Sequence, residues 1–188
     1  MSDLEIGALN VPILSNRKFL EILREENLLR RLKIYEIDSN YIKYLSEYQK
    51  HLFYSDNDKS ERKYIGIILE INDFKYFAPL SSFKEKHKKM KEGVDFIKIK
   101  NYAVLNINNM IPVPKGLYYL VDINGIKDQH YKYLLQTESR ELNKQRNRIM
   151  KNANIVYKHK IRNQEKTSLA RRSNDFAMLE KRCREYML

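Results

Sequence analysis

The stretch YIGIILEINDFKYFAPLSSFKEKH, residues 64–87, decides the fold. Residues 64–71 are apolar and rich in β-branched side chains, the composition of a central strand buried on both faces. Asn72-Asp73 is a turn pair, and residues 74–77 return as the partner strand. Pro79 has no amide hydrogen and is expected to end regular pairing. The hairpin then delivers two hydroxyls, Ser81 and Ser82, into the cations Lys84 and Lys86 and the imidazole of His87. Ser82 is expected to cap a short helix, FKEKHKKMKE. A helix start with a serine and nearby lysines suits an anion such as phosphate.

Before the hairpin, LKIYEI at residues 32–37 alternates as a strand. Asp38 or Ser39 is placed to cap a helix, NYIKYLSEYQ, whose Tyr41, Tyr44, Leu45 and Tyr48 share one face. Tyrosines on such a face usually serve the core, and their hydroxyls can also reach a phosphate. Residues 54–63 are polar and charged, a loop that closes on the basic pair Arg62-Lys63. Residues 1–31 read as an N-terminal extension with one helix, capped at Ser15 or Asn16 and running through Leu29. Residues 32–188 read as a single domain.

After the hairpin, Gly93 marks a turn, and residues 95–98 and 103–107 alternate as shorter strands. Residues 110–113 and 117–123 give two more β pieces around Pro114-Lys115-Gly116. Beyond Asp128 a long, charged helical segment runs to about Lys166, with a break expected near Asn152 and Asn154. Tyr131, Leu134, Leu135, Leu142, Ile149 and Met150 are its expected buried positions. Arg140, Lys144, Arg146, Arg148, Lys151, Lys158, Lys160 and Arg162 form a basic face, read either as solvated or as a surface for RNA. Ser173 or Asn174 is expected to cap a last helix ending at Tyr186. Strands first, one helix between them and more at the end make an α+β pattern with a twisted, mostly antiparallel sheet surrounded by helices.

Composition bounds the function. With 188 residues and 43% hydrophobic content the chain is long enough for a real core. A net charge of +12 and a pI of about 9.6 favour a polyanionic partner, nucleic acid first. The single cysteine, Cys183, forms no internal disulfide, which points to a reducing cytoplasm. No apolar run reaches the length of a membrane span, and Asp3 and Glu5 stand where a signal peptide carries positive charge. With five glycines in all, the chain has no Gly-rich phosphate loop. It has no Cys-x-x-Cys or His-Glu-x-x-His spacing, and His51, His87, His130 and His159 are scattered. No cofactor and no metal site follow from the sequence.

Two-metal nucleases need clustered carboxylates, which the hairpin region does not offer, so a nuclease reading of this chain is expected to be metal-independent. In RNA the ribose 2′-hydroxyl is an internal nucleophile, so the protein has only to align it, neutralise the developing charge and move protons. Lysine, arginine, serine and tyrosine suffice. The products are a 2′,3′-cyclic phosphate and a 5′-hydroxyl. The alternative is a non-catalytic basic RNA-binding module, in which the same cations only grip phosphates. A third reading is a basic structural protein whose helices serve protein contacts.

Three segments in order, LKIYEIDSNYIKYL, KYIGIILEINDFKYFAPLSS-x-K and LNINNMIPVP, resemble the ToxN/AbiQ family from Leu32 to the C-terminus. Its members are endoribonuclease toxins of type III toxin–antitoxin systems, acting in abortive phage infection. The resemblance implies a MazF-like sheet with surrounding helices and metal-independent cleavage of messenger RNA, often at A-rich sites. It implies an RNA antitoxin of tandem repeats, each a pseudoknot lying in the toxin's basic groove, in a closed protein–RNA assembly. By position, Ser82 matches a serine needed for activity, and Lys84 the lysine two residues on. Ser81 stands where threonine is common, Arg62 or Lys63 matches the basic residue before the Ile-Gly-Ile strand, and Tyr41 matches the tyrosine of the first helix. A polar aromatic of the helix after the sheet is Tyr131 or Tyr133. The expected catalytic set is therefore Ser82, Lys84, Arg62 and Lys63. The expected RNA contacts are Tyr41, Ser81, Lys86, His87, Arg140, Lys144, Arg148 and Lys151.

Overall fold

The computed structural model describes residues 31–49, Leu52 and 62–188. The expected helix of the N-terminal extension and most of the loop over residues 54–63 lie outside the described residues. The hairpin forms as its composition dictates. Strand β2 (Tyr64–Ile71) and strand β3 (Phe74–Ser82) are antiparallel. The two turn residues both take left-handed backbone, Asn72 at φ 50° and Asp73 at φ 66°. A two-residue hairpin needs that conformation at both central positions, and Asn and Asp tolerate it best after glycine.

Pro79 does not end the strand. The Leu80 N–H donates to the Lys63 carbonyl at 2.9 Å, so pairing with the chain before β2 continues past the proline. Alternation then turns the Pro79 nitrogen to the opposite edge of β3. At that edge the partner changes, from β6 (Ile111–Pro112) opposite Tyr76 and Phe77 to β5 (Ala103–Asn106) opposite Leu80, Ser81 and Ser82. The missing donor falls in the gap between the two partners, where it costs no ladder bond.

With β1 (Lys33–Ile37), β4 (Phe96–Ile99) and β7 (Tyr118–Leu120), the strands form one sheet in the order β4-β5-β3-β2-β1-β7, with β6 beside β3. Every pairing is antiparallel. Together with the helices this is an α+β fold. Between Ile65 opposite Ala78 and Leu69 opposite Tyr76 the register slips, a bulge that strengthens the local twist. Gly66 sits in it because the Phe77 ring lies across its backbone; a Cβ there would stand 2.2 Å from Phe77 Cδ1. Phe77 packs edge-on to Tyr35 at 5.3 Å and tilted against Tyr118 at 4.8 Å.

Helix α1 (Ser39–Ser46) is capped by Asp38, whose carboxylate accepts from the Tyr41 N–H at 3.0 Å. A short helix α2 (Glu85–Lys89) follows β3, and a 3-10 turn (Ile107–Asn109) follows β5. The long C-terminal segment divides into α3 (Gln129–Lys144) and α4 (Arg146–Asn163). The break lies at Gln145, and Asn152 and Asn154 continue the helix. Tertiary bonds set its place. The Asn143 amide pairs both main-chain groups of Leu32 at 3.0 and 2.9 Å, and the Gln145 amide donates to the Lys98 carbonyl at 3.2 Å. After α5 (Ser168–Arg172), the last helix α6 (Phe176–Tyr186) is capped by Asp175 rather than Ser173 or Asn174. Those two residues instead tie the preceding loop, Ser173 Oγ to Leu169 and the Asn174 amide to Met110.

The side of β3 that carries Tyr76, Ala78 and Leu80 faces the helices. Tyr76 meets Tyr157 of α4 at 5.7 Å and Phe176 of α6 at 5.8 Å. Leu135, Leu142 and Ile149 are buried as expected, whereas Tyr131 is 39% exposed. Among the described residues no helix is long and apolar enough to cross a membrane.

Candidate active site

The register of the sheet separates the two serines. Side chains alternate along β3, so Ser82 shares a face with Tyr76, Ala78 and Leu80, and Ser81 points the other way. Lys63 lies opposite Leu80, on the Ser82 face, and about 7 Å of strand separates Leu80 from Ser82. The Phe83 N–H donates to the Tyr102 carbonyl at 3.0 Å, and Lys84 keeps an extended backbone. Alternation therefore carries Lys84 to the same side as Ser82. Both are exposed, as are Arg62 and Lys86.

Ser82 is the last residue of the strand and does not cap α2. The cap position belongs to Lys84, whose N–H donates to His87 Nδ1 at 2.9 Å, while the His87 N–H donates back to the Lys84 carbonyl at 2.8 Å. His87 is thereby withdrawn from the expected RNA contacts: it is 6% exposed, between Phe83 and Phe96. Burial first, then Lys86, Lys84 and Lys98, hold its pKa below the usual histidine value. A neutral ring keeps Nδ1 as an acceptor, so His87 fixes the main chain that presents Lys84.

Tyr41 is likewise withdrawn. Its ring is fully buried and its hydroxyl donates to the Pro112 carbonyl at 2.8 Å. Burial raises its pKa far above the ordinary tyrosine value. Lys63 forms an ion pair with Glu36 of β1, and Arg62 lies against the hydroxyl of Tyr64. Burial pushes Tyr64 up to about 12, with Arg62 drawing it back down.

Arg140 and Lys144 of α3 and Arg148 of α4 fall in two clusters beside this end of β3. Glu141 draws in Lys144 at 2.8 Å, Lys100 at 3.2 Å and Arg140 at 3.9 Å. Lys100 follows Ile99, which pairs with Ala103, which pairs with Ser82; that is two strand spacings, about 10 Å. In the second cluster Arg148 lies 3.3 Å from Glu92, and Lys98 Nζ donates to the Lys88 carbonyl of α2 at 3.2 Å. Lys151 is exposed one turn after Arg148. The arginines and lysines in these pairs remain well exposed, so they can meet a phosphate with N–H groups the carboxylates do not use. Lys160 is different: it is buried, paired with Glu165 and donating to the Ala170 carbonyl, and so is no part of the basic face.

Several buried ionisable groups escaped the sequence reading, Glu138 among them. Glu138 of α3 is 5% exposed, and burial pushes its pKa up to about 7. Its signal was its spacing, three residues after Leu135 and four before Leu142, which puts a carboxyl in the buried stripe of the helix. Among the described residues no group of three or more His, Cys, Asp or Glu is disposed to hold a metal ion.

Comparison with known proteins assigns this architecture. The family model described as Toxin ToxN, type III toxin-antitoxin system, matches residues 33–184. The chain belongs to the ToxN family. It is thus placed among the endoribonuclease toxins of type III toxin–antitoxin systems. Endoribonuclease ToxN of Bacillus thuringiensis subsp. kurstaki is 30% identical over 163 residues, covering 82% of this chain and 84% of the relative. Among solved structures, a type III toxin reported as selectively inhibited by a non-coding RNA pseudoknot superposes with a TM-score of 0.72 at 28% identity. That match covers 84% of this chain and 98% of the other. AbiQ, a lactococcal anti-phage endoribonuclease of a type III system, gives 0.71 at 26% identity, with the same coverage of each chain.

Proposed function

We propose that this endoribonuclease cleaves messenger RNA without a metal ion, by driving a ribose 2′-hydroxyl onto its own 3′-phosphodiester. The observation that carries the proposal is the shared side of Ser82 and Lys84 at the exposed end of β3, with Lys63 on the same face of the next strand. Ser82 binds and orients the scissile phosphate. Lys84, with Lys63 or Arg62, stabilises the charge that grows on its non-bridging oxygens. The 2′-oxygen attacks phosphorus, the bond to the 5′-oxygen breaks, and the products are a 2′,3′-cyclic phosphate and a 5′-hydroxyl. Arg140, Lys144, Arg148, Lys151 and Lys86 bind flanking phosphates, and Ser81, which points away from Ser82, is left out of the contact. The same basic surface receives the inhibitor, a repeat RNA folded as a pseudoknot, within a closed protein–RNA assembly. Release of the toxin from it stops phage growth, with cleavage favoured at A-rich sites.

The test is cleavage of a defined RNA in excess EDTA, with analysis of product ends. Undiminished cleavage leaving 2′,3′-cyclic phosphates is the expected result, and a single 2′-deoxyribose at the cut site should abolish it. Cleavage that stops in EDTA, or that leaves 3′-hydroxyl ends, refutes the mechanism.

A further inference from the structure

An open cleft of about 360 Å³ adjoins Lys63 on the side away from Ser82, and its lining does not suit a phosphate. Glu36 and Asp122 contribute carboxylates, Leu120 and Ile126 apolar walls, and Tyr131 an aromatic ring. Lys63, the cation in this lining, is already paired with Glu36. In a chain of net charge +12, a cleft with two carboxylates and one paired lysine offers the RNA backbone little attraction. Its volume lies within the range of small-molecule sites, and an aromatic face with apolar sides is the usual seat of an unstacked base.

The Asp122 carboxylate is fixed in place. Its Oδ1 accepts from the Asn124 N–H at 3.1 Å, and its Oδ2 packs on Gly125, where a Cβ would stand 2.5 Å away. Gly125 thus leaves room for Oδ2, and Asn124 takes the other oxygen. Tyr131 is set by Asp128, which caps α3 by accepting from the Tyr131 N–H at 3.0 Å. Tyr131 lines the cleft and is 39% exposed.

We infer that this cleft holds the nucleobase next to the scissile phosphate, stacked on Tyr131, and selects a base bearing an exocyclic amine through the Asp122 carboxylate. The assignment rests on the proposed placement of that phosphate at Ser82 and Lys84. A carboxylate only accepts hydrogen bonds, so it favours the N–H₂ group of adenine or cytosine, or the N–H edge of guanine. It disfavours uracil, whose single N3–H donor is flanked by the O4 and O2 carbonyls that the carboxylate repels. Selection by acceptance from an amine is a choice between base types that phosphate contacts cannot make.

The experiment uses the full chain and short RNAs that differ only in the bases flanking the cut, each made in a cleavable form and in a form with 2′-deoxyribose at the cut. The wild type is expected to bind and cut the amine-bearing sequences more tightly and faster than the uracil one. In Asp122→Asn, which keeps the bond to Asn124, the preference should collapse by roughly 10- to 100-fold, the worth of a charged hydrogen bond. Tyr131→Ala should weaken binding about tenfold for every base, and Tyr131→Phe should restore it. A base preference left unchanged by Asp122→Asn, or a rate lost equally for all bases, overturns the inference. Binding of the uncleavable RNAs separates the two levels. If the wild type cuts nothing yet binds with an Asp122-dependent preference, the cleft stands and the catalytic reading falls. Metal-free cutting with no such preference leaves catalysis intact and removes the cleft's role.

Discussion

The two ends of β3 carry similar chemical groups and treat them in opposite ways. At the hairpin end the Tyr76 hydroxyl donates to Glu180 at 2.7 Å and the Tyr157 hydroxyl donates to the same oxygen at 2.9 Å, all three residues buried. Tyr157 is pushed up to about 12, mainly by burial and then by that carboxylate. The two hydroxyls share one carboxylate oxygen inside the fold, which is how a buried network stabilises and specifies a core. At the other end Ser82, Lys84 and Lys86 are exposed at the end of the same strand. Like charges near one another are disfavoured, and under the proposed function an RNA phosphate relieves them. One strand, about 30 Å long, thus runs from a hydrogen-bonded core to an exposed cationic end.

That contrast is open to direct attack. Lys84→Ala should slow RNA cleavage roughly 100-fold, the usual cost of one transition-state charge contact, while thermal unfolding stays close to wild type. A comparable loss of melting temperature would move Lys84 to the structural side. Glu180→Ala should do the reverse. It leaves two buried hydroxyls without an acceptor and should cost about 3 kcal/mol in urea unfolding, with cleavage per folded molecule unchanged. Gly66→Ala sets a methyl against the Phe77 ring and should cost about 2 kcal/mol by overpacking, with no shift in the cleavage pattern.

Two pH effects sharpen the comparison further. Glu138 has a folded pKa of about 7 against 4.5 for the free group, so the folded state binds the extra proton between those values. Its contribution is favourable below pH 4.5 and is lost as pH rises through about 7. Glu138→Gln should therefore raise stability above pH 7 by roughly 1–2 kcal/mol and change little near pH 4, read from melting temperatures across the range. His87 runs the opposite way, with a folded pKa below 6.5, so its contribution is complete above that value and is lost as pH falls through the folded pKa. Acid should thus break the Lys84 N–H to Nδ1 bond and loosen α2, a small effect visible as faster amide exchange at Lys84.

Much of this was legible in the residues. The hairpin, the Asp38 cap and the strand pieces after Gly93 follow from alternation, turn chemistry and β-branched content, which are local signals. The resemblance added the site residues, and the register then set Ser82 apart from Ser81, which composition could not do. What stayed hidden depended on distant partners. Pro79 is tolerated because β6 gives way to β5 beside it. The helix breaks at Gln145 because Asn143 and Gln145 are anchored to Leu32 and Lys98. Tyr41 and His87 looked available on their own elements, and only the packing of Pro112, Phe83 and Phe96 against them shows that they are not.

The most direct measurement compares purified wild type and Ser82→Ala on one defined RNA in EDTA, with RNA affinity and melting temperature recorded on the same samples. The account predicts loss of cleavage by at least about 100-fold, RNA binding within a few-fold of wild type and an unchanged melting temperature. A variant that folds, binds and still cuts at the wild-type rate would contradict the claim that this end of β3 is the catalytic one.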